Sequence, residues 1–129
     1  MIVTQEENLR DFTLDQWVLY CHGRAVKNNW WSAEQLTEQD PTFMASKIAL
    51  IHSEVSEMLE GLRKGLPDDH LPHRSAEEVE AADVFIRLVD YCGARKIDLA
   101  AAVTEKMHYN ETRADHKPDA RGVAGGKKF

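Results

Sequence analysis

The sequence predicts an all-α fold, a bundle of four to five helices, on three observations. Ile48, Ile51, Val55, Leu59 and Leu62 recur at steps of three and four within Lys47–Gly65, KIALIHSEVSEMLEGLRKG. That spacing is the signature of one buried helical face. Helix-starting residues precede two long segments, Asp40-Pro41 and Ser75 with Glu78, and a glycine follows each segment. No stretch alternates apolar and polar residues for long, and Val3 alone does not make a strand.

Residues 1–10 read as a short lead-in. A first helix is expected from Asp11 to about Asn29, with Phe12, Leu14, Trp17, Val18, Cys21, Ala25 and Val26 at helical spacing. Asn28-Asn29 tolerate end conformations and should close it. After Trp30-Trp31, Ser32 caps either a short turn over Ala33–Gln39 or a loop. A second long helix starts at Asp40-Pro41 and runs to Lys64, with Gly65 as its left-handed stop and Arg63 and Lys64 at its carbonyl end. Gly61 lowers helix propensity inside it and permits close packing. The loop LPDDHLPHR follows. A third helix starts at Ser75 and Glu78, covers Ala76–Tyr91 with Val84, Leu88 and Tyr91 inward and Ala81 at the edge, and ends at Gly93. A fourth covers Asp98–Thr112, with Leu99, Ala102, Val103, Met107 and Tyr109 inward. These elements make one domain over 1–113. The basic tail, 114–129, is polar, glycine-rich and aperiodic, so it is expected to be flexible unless a ligand or partner subunit orders it.

The formal net charge of −6, from 22 acidic and 16 basic residues, argues against a nucleic acid polymer or an anionic membrane as partner. It leaves room for a nucleotide, because metal ions reverse the sign of an acidic site. Cys21 and Cys92 are too few for a disulfide scaffold or zinc cluster and read as buried free thiols. The amino terminus lacks the pattern of a signal peptide and no segment reaches membrane-spanning length, so a cytoplasmic setting is expected. A chain this short leaves much surface exposed, which favours self-association.

Glu54 and Glu57 share a side of the second long segment, about 60° apart. Glu80 and Asp83 repeat the arrangement on the next. A short connection favours antiparallel packing, which would bring the four carboxylates together. Such a cluster is unfavourable without cations. Mg²⁺ suits it, as a hard ion that prefers oxygen ligands and keeps waters for a phosphate to replace. The competing reading is a solvated acidic face, and placement beside apolar residues on both helices favours the metal. Glu60 points away from the stripe, Glu77 serves the helix dipole and Glu78 the cap.

With these motifs, Glu54-Val-Ser-Glu57 in LIHSEVSEMLEGLRKG and Glu80-Ala-Ala-Asp83 in EVEAADVFIRLVD, the chain resembles the all-alpha nucleoside triphosphate pyrophosphatases of the MazG-like superfamily. That superfamily also contains dimeric dUTPases and phosphoribosyl-ATP pyrophosphatases. The resemblance spans roughly residues 44–113. It implies that Glu54, Glu57, Glu80 and Asp83 are the catalytic Mg²⁺ ligands or their partners, with Mn²⁺ as a substitute. It also implies cleavage of a nucleoside triphosphate between the α and β phosphates, and a homodimer or homotetramer. A lysine, asparagine and arginine on the next helix complete the family pattern as Lys106, Asn110 and Arg113, which would bind phosphate oxygens or sugar; their plain reading is an exposed basic face. Phosphoribosyl-ATP hydrolysis and a non-enzymatic helical association module are the alternatives.

Other residues carry two readings each. Lys47 either reaches a phosphate or neutralises the acidic face. Trp30 and Trp31 offer a base-stacking wall, although one of them is expected in the core, as is Trp17. His22 and Asn29 would line the same pocket. Arg87, four residues after Asp83, orients Asp83 or offsets charge. His52 reads as a surface or packing histidine. Asp68, Asp69, His70 and His73 need no metal in a polar loop, and Lys117, Arg121, Lys127 and Lys128 either close over a triphosphate or remain free.

Overall fold

The computed structural model describes residues 9–113 and 118–127. The regular elements that lie wholly among them are helices: α1 (Leu14–Lys27), α2 (Ala33–Glu38), α3 (Pro41–Lys64), α4 (Ala76–Arg95), α5 (Leu99–Thr112) and α6 (Pro118–Arg121). The all-α expectation therefore holds. The chain divides into two compact units, Met1–Ile97 and Asp98–Phe129.

Local chemistry sets the helix starts in the first unit. Thr13, Ser32 and Ser75 each accept from the backbone N–H three residues on, while Gln16, Gln35 and Glu78 reach back to the capping residue's own N–H. Each such cap contributes about 1 kcal/mol. Ser32 thus starts a real helix. Asp40 caps α3 with Pro41 in its first turn, and Gly65 closes it in the left-handed conformation at φ 62°. Asn28 ends α1, and Asn29 takes the left-handed turn that follows.

Helix α4 packs against both α1 and α3. Its pairing with α3 is antiparallel. Gly61 lies against Ala76 and Glu77, Arg87 bonds Glu54, and Met44 clusters with Ala94 at the far end. The apolar core gathers Ala25, Trp31, Met44 and Ala94, flanked by Leu36, Phe43 and Tyr91. Val89 is fully buried, and Cys21 and Cys92 are buried free thiols.

Several expectations are corrected. The row Ile48, Val55, Leu59 and Leu62 is exposed, Leu59 by 55%; the face that α3 turns to α4 carries Met44, Lys47, Ile51, Glu54, Met58 and Gly61. Helix α4 is flanked on two sides, so it buries Val89, Asp90, Cys92 and Ala94, while Leu88 and Ala81 are exposed. It also continues through Gly93 to Arg95, and Lys96 takes the left-handed cap at φ 56°. Gly93 is there for packing: a Cβ on it would stand 2.6 Å from His22 Cβ. In the second unit no residue of α5 is buried, and Val103, Met107 and Tyr109 are exposed.

Candidate metal centre

The seam between α3 and α4 is apolar or close-packed at its ends and charged along its middle. Gly61 meets the Ala76–Glu77 backbone at one end, and a Cβ on Gly61 would come within 2.8 Å of Glu77 N. Met44 and Ala94 close the other end. Between them lie Lys47, Glu54 and Glu57 from α3, and Glu80, Asp83, Arg87 and Asp90 from α4. Charge in a helix seam is costly unless it is paired or holds a ligand.

Carboxylate oxygens of Glu54, Glu57 and Glu80 lie within 4.8 Å of one another, a grouping that can coordinate a metal ion. Glu54 is nearly buried, at 9% exposure, and accepts from Arg87 Nε at 2.6 Å. Burial raises its pKa, but the bonds from Arg87, Glu80 and Glu57 outweigh burial and hold the carboxyl below its usual value. Glu80 goes the other way. Burial, the hydrogen bond with Glu54, and then the charges of Glu57, Asp83 and Glu54 push it up to about 7. Its Oε2 is buried and has no hydrogen-bond partner. Asp83 stands next to the triad without joining the three converging oxygens. Burial and then the charge of Glu54 raise it against the opposing pull of Arg87. The acids thus lack sufficient positive charge of their own. Converging oxygen donors and an orphaned carboxylate oxygen fit a hard divalent cation.

A cleft of about 330 Å³ opens beside the triad, lined by Glu57, Glu60, Gly61, Lys64, Asp68 and Glu80 among others. Asp68 Oδ2 accepts from His70 N and Leu71 N, so the loop is ordered locally without a metal. Its charge also contributes to raising Asp83, a part in the site that the sequence reading did not give it.

No family model, curated protein or solved structure matches this chain.

Lys47 donates to Trp30 O at 2.8 Å and lies 4.4 Å from the Trp31 ring centre. Burial lowers its pKa, the Asp90 charge raises it and the Arg87 charge lowers it, for a net lowering. The tandem tryptophans divide. Trp31 is core, 4% exposed, and donates through Nε1 to both oxygens of Asp90 at 3.0 and 3.1 Å; Trp30 is 47% exposed with Arg87 Cζ 5.8 Å from its ring centre. His22 is bonded through Nδ1 to Asp90 at 2.9 Å, Asn29 is exposed, and His52 is exposed on α3. Trp17 is half-buried in an aromatic cluster with Phe12, Tyr20 and Phe85.

In the second unit, Lys106 Nζ on α5 lies 4.8 Å, and Cζ of Arg113, the extended residue that caps the helix, 5.6 Å from the ring centre of Tyr109. Asn110 Oδ1 is buried and has no hydrogen-bond partner. Of the tail cations, Lys117 and Lys128 lie outside the described residues.

Two sets of long-range pairs made by α4 were not foreseen from the sequence. Arg87 serves Glu54 across the seam, and Asp90 ties Trp31 to His22. Arg87 alone had a signal in the sequence, as a cation following Glu80 and Asp83 at steps of three and four.

Proposed function

We propose that the chain hydrolyses a nucleoside triphosphate, most simply a deoxyribonucleotide, between its α and β phosphates, using Mg²⁺ or, in its place, Mn²⁺. The products are a nucleoside monophosphate and pyrophosphate. The observation that carries this reading is the meeting of Glu54, Glu57 and Glu80 oxygens within 4.8 Å, across two helices that also bear the ExxE and ExxD motifs. Glu54, Glu57 and Glu80 hold the cation and Asp83 supports them. When bound, the cation neutralises phosphate oxygens and the charge developing at the α-phosphorus. Glu57 is exposed and takes no part in the Arg87 pair, so its carboxylate oxygen receives the proton of the attacking water. Pyrophosphate leaves without a covalent enzyme intermediate. Within the first unit, Lys47 meets the phosphate chain and Trp30 offers its exposed face to the base. For Lys106, Asn110 and Arg113 of the second unit, a phosphate or sugar role is what the family resemblance implies. No described helix is long and apolar enough to cross a membrane.

The test is pyrophosphate release across the common and several damaged nucleotides, with phosphoribosyl-ATP in the same panel. Turnover should require Mg²⁺ or Mn²⁺ and fall by about a hundredfold or more in Glu57→Ala and Glu80→Ala. Absence of turnover on every substrate, or its survival in both variants, would remove this reading.

A second reading, a helical association module, is favoured by the exposed row of Ile48, Val55, Leu59 and Leu62. It is compatible with the first if the enzyme is a homodimer or homotetramer.

A further inference from the structure

We propose that Arg87 changes partners during binding: it neutralises Glu54 while no cation is present, and grips the substrate's phosphate chain once one is. This rests on the metal-dependent reading above and adds a substrate-binding residue to it.

Four observations lead there. Arg87 Nε donates to Glu54 Oε1 at 2.6 Å, so it occupies an oxygen of one of the three converging carboxylates. The Arg87 side chain is 30% exposed and that of Glu54 11%, so the arginine has room to leave and the glutamate does not. The guanidinium already lies 5.8 Å from the exposed Trp30 ring, and Lys47, whose pKa its charge lowers, donates to Trp30 O. The two cations of the seam thus gather at one tryptophan beside the triad. Finally, Glu80 Oε2 is buried without a partner, which marks the triad as short of a ligand even with Arg87 in place.

The exchange follows from charge and shape. A divalent cation and a guanidinium compete for Glu54, and the smaller, doubly charged ion binds the carboxylate more strongly. A displaced Arg87 keeps a planar fork of donors suited to two phosphate oxygens. The site in this way gains a phosphate-binding cation at the moment a metal–nucleotide complex arrives. A fixed counter-ion gives a different outcome: its removal helps cation binding and leaves the nucleotide indifferent.

Calorimetry on the full chain separates the two. Mn²⁺ is titrated alone, and then a non-hydrolysable α,β-imido nucleotide is titrated at saturating Mn²⁺, into the wild type, Arg87→Gln and Arg87→Lys. The expected result for Arg87→Gln is tighter Mn²⁺ binding and weaker nucleotide binding, each by on the order of tenfold. Arg87→Lys keeps a positive charge near Glu54 and so protects against failure to fold. It should bind Mn²⁺ much as the wild type does but hold the nucleotide less well, because it lacks the fork. Nucleotide affinity unchanged in both variants overturns the partner exchange and leaves the metal reading standing. A wild type that binds no divalent cation removes both.

Discussion

Glu80 is the residue whose protonation decides how much charge the seam must carry. Its carboxyl titrates near 7 in the fold against 4.5 as the ordinary value, first through burial, then through its bond with Glu54 and the neighbouring charges. Between those values the folded chain retains a proton that the unfolded chain has lost. Metal-free stability should therefore decline as pH rises across that interval and level off above it. Cation affinity should move oppositely, climbing over the same interval because the bound state requires the carboxylate. Urea denaturation from about pH 5 to about pH 8, with and without Mn²⁺, checks both slopes. Glu80→Gln should flatten the metal-free one. Glu54 behaves in the contrary sense. Its carboxyl is held below the usual value, so its contribution is present above 4.5 and is lost only in acid.

Two helical glycines mark where the elements touch. Alanine at Gly61 would drive a methyl group into the Glu77 backbone, and alanine at Gly93 would drive one into His22. Both substitutions should destabilise by about 1–3 kcal/mol despite alanine's better helix propensity. Gly23 in α1 has nothing within 4 Å of the same position, so Gly23→Ala should instead stabilise by up to about 1 kcal/mol. Denaturant midpoints of the three variants test this ordering. These contacts also divide what was legible in the sequence from what was not. Helix starts and the Gly65 stop depend on residues a few positions apart, so Thr13, Ser32, Asp40 and Ser75 act in chemistry that short segments contain. The buried side of α3 depends on α4. The expected row 48, 51, 55, 59, 62 and the contact row 44, 47, 51, 54, 58, 61 share one period and meet only at Ile51, and apolar composition selects the first because the true contact row carries Lys47 and Glu54. Gly93 was misread for the same reason, since only His22, far away in sequence, explains it. The carboxylate pairs were found because their spacing is local, whereas the Arg87–Glu54 and Asp90–Trp31 pairs span helices.

At the scale of the molecule, the α3 seam is charged and the row flanking it, one residue on and so about 100° around the helix, is greasy. Exposed Ile48, Val55, Leu59 and Leu62 form an apolar strip along one helix, and self-association is the outcome to be tested there. Sedimentation should find the wild type at twice its 14.7 kDa mass or more, and the double variant Leu59→Glu with Leu62→Glu should shift it toward the monomer. A monomeric wild type would count against self-association. The first unit also has a polar rivet. One carboxylate, Asp90 on α4, accepts from His22 on α1 and from Trp31 in the corner leading to α2. The chain has three tryptophans in three settings, and among the described residues only this indole is hydrogen-bonded to a buried acid while stacked under an ammonium. Its emission and near-ultraviolet dichroism consequently form an optical gauge of assembly: the signal arises when α1, the corner and α4 have docked, and bulk helix content does not produce it.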